Sequence, residues 1–213
     1  MEYVVSIRIP FPETIGNVLK REKDRFVSQY GSSYKSEPHI TLYLDRYTRE
    51  GFSKLINDLR GLSMKPFTIS LLKPNVRLEE DRQNNLYVMD VSDKEQIQEL
   101  HDKILELAIR YQSPLLRSKV RHRLEQQGIY TDGKRENLKD AYVDQTFDPH
   151  ITLGQVGIND PQPDLKDVER NLKELVGEKI TVSHLIVMFD GKMNDDKHFK
   201  LVEKATISLS KES

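Results

Sequence analysis

Two stretches of this chain read Pro-His-Ile-Thr-Leu, at residues 38–42 and again at 149–153. One His-x-Thr is a weak signal, but the same five residues occurring twice are a strong one. In an extended strand successive side chains point to opposite faces. His39 and Thr41 then share one face while Ile40 and Leu42 anchor the other, and His150 and Thr152 do the same against Ile151 and Leu153. Two imidazoles on either side of one phosphate suit in-line displacement. One takes the proton of the attacking oxygen and the other supplies a proton to the leaving oxygen. An imidazole pKa near ~6.5 lets both forms exist around neutral pH. The threonine hydroxyls can donate to the non-bridging oxygens, where negative charge must be stabilised. Such a site needs no metal and no cofactor. A zinc site made of His39, His150 and Asp148 is the competing arrangement. It is disfavoured because Asp148 lies across Pro149 from His150 and threonine is a poor zinc ligand.

The elements around the motifs repeat as well. Val5, Ile7 and Ile9 alternate with Val4, Ser6 and Arg8, which predicts a strand. Ile15, Val18, Leu19 and Phe26 follow at helical spacing, then the first motif. Thr48 is placed to cap a helix carrying Phe52, Leu55, Ile56 and Leu59, and strands are expected at 67–71 and near 76–78. The second round starts at the strand Leu86–Val91. A capping box at Ser92 and Glu95 leads into a helix with Ile97, Leu100, Ile104, Leu107 and Tyr111 on one face. After the second motif come a helix bearing Leu165, Val168, Leu172 and Leu175, ended by Gly177, and strands at 180–189 and 198–209. The chain is expected to be one domain over 1–213, with half-repeats at about 1–80 and 84–213. The second half carries about 28 extra residues ahead of its motif, within about 113–145.

The duplicated motif, the opening strand ending in Ile9-Pro10, the Pro66–Leu71 segment, Leu86–Met89 before a helix, and the closing strands around Leu185–Phe189 and Phe199–Leu201 resemble the two-histidine phosphoesterase superfamily. Within it the likeness is to the branch of 2'-5' RNA ligase-like and cyclic phosphodiesterase proteins. It spans nearly the whole chain. It implies an α+β, bilobal, pseudo-twofold fold with antiparallel sheets lining a central cleft and helices outside. It implies catalysis by His39, Thr41, His150 and Thr152, with His150 as the base for water and His39 as the acid. It implies substrates bearing 2',3'-cyclic phosphates or 2',5'-phosphodiester links, as RNA ends or small nucleotides. The alternative is a catalytically inactive RNA- or nucleotide-binding module of the same fold, and the intact histidines and threonines favour the enzyme.

Other residues could serve binding. The insertion holds Arg117, Lys119, Arg121, His122 and Arg123, either a solvated helix face or an arm that grips phosphates. Tyr43, Tyr87, Phe147 and Phe189 can stack on a base or fill a core, with Tyr43 the candidate nearest a motif. His101 is expected on an exposed helix surface, and His184 and His198 lie in the closing strands.

The bulk composition narrows the classes. The 213 residues hold no cysteine, which excludes disulfides, thiolate metal sites and a cysteine nucleophile. Thirty-three basic residues against 34 acidic ones leave a formal net charge of -1, so contact with nucleic acid must come from a local patch. The start at Met1 lacks the pattern of a signal peptide, and no apolar run approaches the length of a membrane helix. A soluble, cytoplasmic monomer without membrane contact is expected.

Overall fold

The computed structural model describes residues 2–79, 83–113, 147–190 and 201–209. Its strands are β1 (Glu2–Pro10), β2 (His39–Thr48), β3 (Phe67–Glu79), β4 (Asn84–Val91), β5 (His150–Gly157), β6 (Lys179–Val182), β7 (His184–Asp190) and β8 (Leu201–Ser208). The helices among the described residues are α1 (Glu13–Tyr30), α2 (Arg49–Arg60), α3 (Lys94–Ala108) and α4 (Leu165–Leu172), with a 3₁₀ turn at Lys173–Leu175.

All eight strands join in one antiparallel sheet of order β6-β3-β4-β5-β2-β1-β7-β8. The order is symmetric about its centre. The motif strands β5 and β2 lie side by side, each flanked by the strand that opens its half, β4 and β1. A single residue, Ser183, separates β6 from β7, although they stand at the first and seventh places. Only a strongly curled sheet can accommodate so short a link, and the fold is the expected α+β, pseudo-twofold arrangement. The helices are exchanged between the halves: α1 packs on β5 and α4, and α3 packs on β2 and α2.

The core forms where alternating apolar positions meet the helices. Ile7, Ile9, Ile40, Leu42, Ile151 and Leu153 are buried with Leu19 and Phe26 of α1 and with Ile97, Leu100 and Ile104 of α3. Gly154 lies directly beneath Phe26. A Cβ there would come within 2.3 Å of the ring, so only glycine lets α1 approach β5 this closely.

Most local expectations hold. Thr48 caps α2, accepting from Gly51 N at 3.1 Å. Three differ. The strands expected at 67–71 and 76–78 are one bent strand, β3, with an irregularity between Leu71 and Pro74. The strand expected over 180–189 is broken at Ser183 into β6 and β7. The capping box at Ser92 does not form. Asp93, at φ 55°, occupies the cap position, and the Ser92 hydroxyl instead accepts from Ser70 N at 2.8 Å, tying β4 to β3.

Candidate active site

The centre of the sheet is set by one pairing, Ile40 opposite Ile151. Both isoleucines are fully buried on the helix-covered face. Continuing this antiparallel register by one residue either way sets His39 beside Thr152 and Thr41 beside His150. All four point to the open face, where Thr41 is exposed and the others are half-buried. Two motifs far apart in the chain thus form one four-residue cluster.

Each histidine is oriented by the carbonyl two residues before it. Nδ1 of His39 lies 2.6 Å from the Glu37 carbonyl, and Nδ1 of His150 lies 2.7 Å from the Asp148 carbonyl. A carbonyl only accepts, so it draws the proton to Nδ1 of each ring and leaves Nε2 as the nitrogen turned away from that contact. Pro38 and Pro149 stand between histidine and carbonyl. Each restricts the preceding residue to extended backbone and so shapes the turn that presents the carbonyl. Nε2 of His39 accepts from the Thr41 hydroxyl at 3.0 Å.

The two imidazoles sit in different fields. Burial, and after it the positive charge of Arg8, lower the pKa of His39 to about 3. The Glu37 carbonyl opposes this, while Lys23 and His150 add to it. Arg8 stands opposite Thr41 on β1. His150 is also lowered by burial and by Arg77, but its hydrogen bond to the Asp148 carbonyl and the charges of Asp148 and Asp90 pull it back up. Arg77 Nη1 lies 3.1 Å from His150 Nδ1. Its guanidinium is ion-paired with Asp90 and Asp148, and Lys94 also reaches Asp148 at 2.9 Å. The Asp148 carboxylate is therefore occupied by two cations. Among the described residues no group of three or more histidines and carboxylates is placed to hold a metal ion.

Tyr43 does not join the site. Simple alternation from His39 and Thr41 puts it on the open face, but β2 has a bulge: Arg8 pairs with Thr41 and Ile7 with Tyr43, leaving Leu42 as the extra residue. A bulge shifts everything after it by one step. Tyr43 is consequently buried on the helix face, where its hydroxyl meets Gln112 at 3.0 Å and the Tyr47 hydroxyl. The other aromatics also pack inside. Tyr87 meets Phe26, Phe189 stacks between Tyr3 and Phe52, and Phe147 stacks on His101. His101 is buried rather than exposed, because its face of α3 is turned toward β2. His184 is exposed. Arg117, Lys119, Arg121, His122, Arg123 and His198 lie outside the described residues.

Sequence reasoning missed Arg8, Lys23 and Arg77. Arg8 carried the one available signal, a charge between Ile7 and Ile9 in a largely apolar strand. Lys23 and Arg77 reach the site only through tertiary packing.

Solved structures share this architecture. Escherichia coli LigT in complex with 3'-AMP matches with a TM-score of 0.56 at 12% identity, over 97% of this chain and 99% of that one. LigT with phosphate matches at 0.55 and 12%, over 97% and 98%. The TT0787 protein of Thermus thermophilus matches at 0.55 and 15%, over 96% and 97%. At such identities the likeness is one of fold. No curated protein sequence matches the chain. The family model of the 2'-5' RNA ligase superfamily matches residues 19–189, a stretch containing both His-x-Thr pairs and most of the sheet that joins them, and the chain belongs to that superfamily.

Proposed function

We propose that the protein is a metal-independent phosphoesterase acting on 2',3'-cyclic phosphate or 2',5'-phosphodiester bonds of RNA or small nucleotides. The observation that carries this is the Ile40–Ile151 pairing, which supports one phosphate-sized site flanked by two Nε2 atoms and two hydroxyls. Family membership supports phosphoester chemistry as the class.

For a cyclic phosphate, water attacks phosphorus and gives its proton to one Nε2. The P–O bond to the ribose 2'- or 3'-oxygen breaks, and that oxygen takes a proton from the other Nε2. His39, the imidazole held more strongly in its neutral form, suits the base. His150, with carboxylates behind it, suits the acid. This is the reverse of the assignment implied by the family resemblance. Thr41, which hydrogen-bonds His39 Nε2 in the free protein, turns its hydroxyl to a phosphate oxygen when substrate enters and frees that nitrogen.

The test is a panel in excess chelator: 2',3'-cyclic mononucleotides, 2',5'-linked oligoadenylate, 3',5'-linked controls and cyclic-phosphate-ended RNA. Turnover of a 2'-linked substrate is expected. No turnover of any of them, or turnover only on adding zinc or manganese, contradicts the proposal.

A further inference from the structure

The backbone behind each His-x-Thr pair is irregular in the same way. On β2, Leu42 is the extra residue between the pairings of Thr41 and Tyr43 with β1. On β5, Leu153 is the extra residue between the pairings of Thr152 and Gly154 with β4. A bulge takes peptide groups out of the ladder, and a buried carbonyl must then find another donor. In both places a basic side chain from the exchanged helix supplies it. Lys23 of α1 donates to the Thr152 carbonyl at 2.8 Å. His101 of α3 donates through Nδ1 to the Leu42 carbonyl at 2.7 Å. Both side chains are buried. Lys23 lies over the Tyr34 ring, while the His101 ring stacks on Phe147 at 4.0 Å, one residue before the Asp148-Pro149-His150 turn.

We propose that Lys23 and His101 are paired positioning residues, each fixing the catalytic strand of the opposite half by holding the carbonyl that its bulge releases. Neither touches substrate. Lys23 sets the peptide that aims Thr152. His101 does so for the strand segment after Thr41 and, through Phe147, braces the approach to His150. Burying a lysine is costly, and a leucine or methionine would fill the same space on a helix at less cost. The buried imidazole is equally specific: its Nε2 has no hydrogen-bond partner among the described residues, so the ring is placed for its Nδ1 donor and its flat face. The two positions are not equivalent in charge. Lys23 also acts on His39 through space, lowering it alongside Arg8.

The inference rests on the two-histidine reading, and the experiment separates the two. Lys23→Met and His101→Leu remove the donors and keep most of the volume; Lys23→Arg and His101→Asn retain a donor. His39→Ala serves as the control for the mechanism. On the best panel substrate, Lys23→Met and His101→Leu are expected to lose roughly 10–100-fold in kcat with little change in KM, the effect of misplacing a reacting group, and the donor-retaining variants to recover most of it. An NMR titration of the imidazoles, which needs no turnover, should show the His39 midpoint rising in Lys23→Met and staying in place in His101→Leu. Near wild-type kcat in both donor-less variants beside an inactive His39→Ala overturns the positioning role alone. An active His39→Ala overturns the mechanism instead. Should a donor-less variant not fold, His101→Asn decides: a donor role predicts retained activity, and a mere packing role predicts loss with the smaller side chain.

Discussion

Ile40 and Ile151 face each other across the two central strands, and this apolar pair aligns the four polar residues around it. Each isoleucine is the middle residue of a His-x-Thr triplet. Burying them on the helix face forces both histidines and both threonines onto the open one. The antiparallel register then crosses the triplets, so that each histidine neighbours the other motif's threonine. The site is a consequence of how the core closes.

The pH dependence of activity follows from the fields on the two rings. Both imidazoles are lowered from their ordinary value in the free protein, so the kcat/KM profile, which reports the free enzyme, should peak below pH ~6.5. Bound phosphate adds negative charge beside both rings, and the limbs of the kcat profile should lie at higher pH than those of kcat/KM. Identical profiles centred at or above pH ~7.5 would contradict the electrostatics described here.

Stability should depend on pH through the same residue. His39 has a folded pKa of about 3, well below that of the unfolded chain. Between ~6.5 and that value the unfolded state binds the extra proton, so stability falls as pH drops through the window. His39→Asn removes the titrating group. Urea midpoints measured from pH 7 to 4 should fall less steeply for this variant than for the wild type.

Tyr43→Phe should leave KM unchanged, because the ring lies behind the sheet. It should cost about 1 kcal/mol of stability through the lost contacts to Gln112 and Tyr47. A several-fold rise in KM at unchanged stability would place Tyr43 in the site after all.

Gly154→Ala puts a methyl group into the Phe26 ring. Overpacking of this kind typically costs about 1–3 kcal/mol. Because Gly154 directly follows the bulge behind Thr152, kcat should fall with Tm. Loss of Tm with full activity would show that β5 and α1 can separate without disturbing the site.

Much of this was legible in the sequence, and the exceptions share a cause. The motif strands, α1, α2 and the helix over 94–108 follow from apolar periodicity, because their buried faces are continuous. Alternation misplaces Tyr43 because a bulge leaves no mark in a run such as Ile-Thr-Leu-Tyr-Leu, yet it reverses every later side chain. His101 looked exposed because acidic and basic neighbours surround it in the sequence, while its own face of α3 turns inward onto β2. Ser92 had the pattern of a helix cap, but a neighbouring strand offered Ser70 N as a competing donor. Lys23 and Arg77 depend on the exchange of helices and on the pairing of β3 with β4. Those are long-range events that no local pattern reports.

The central claim is that His39 and His150 act as one acid–base pair. It is tested most directly by kcat for His39→Ala, His150→Ala and the double variant on the best substrate in excess chelator, with Thr41→Val and Thr152→Val alongside. Each histidine change should cost about 10²–10⁴-fold, the double variant far less than the product of the two, and each threonine change less than either histidine. A His39→Ala or His150→Ala enzyme with near wild-type kcat would contradict the account.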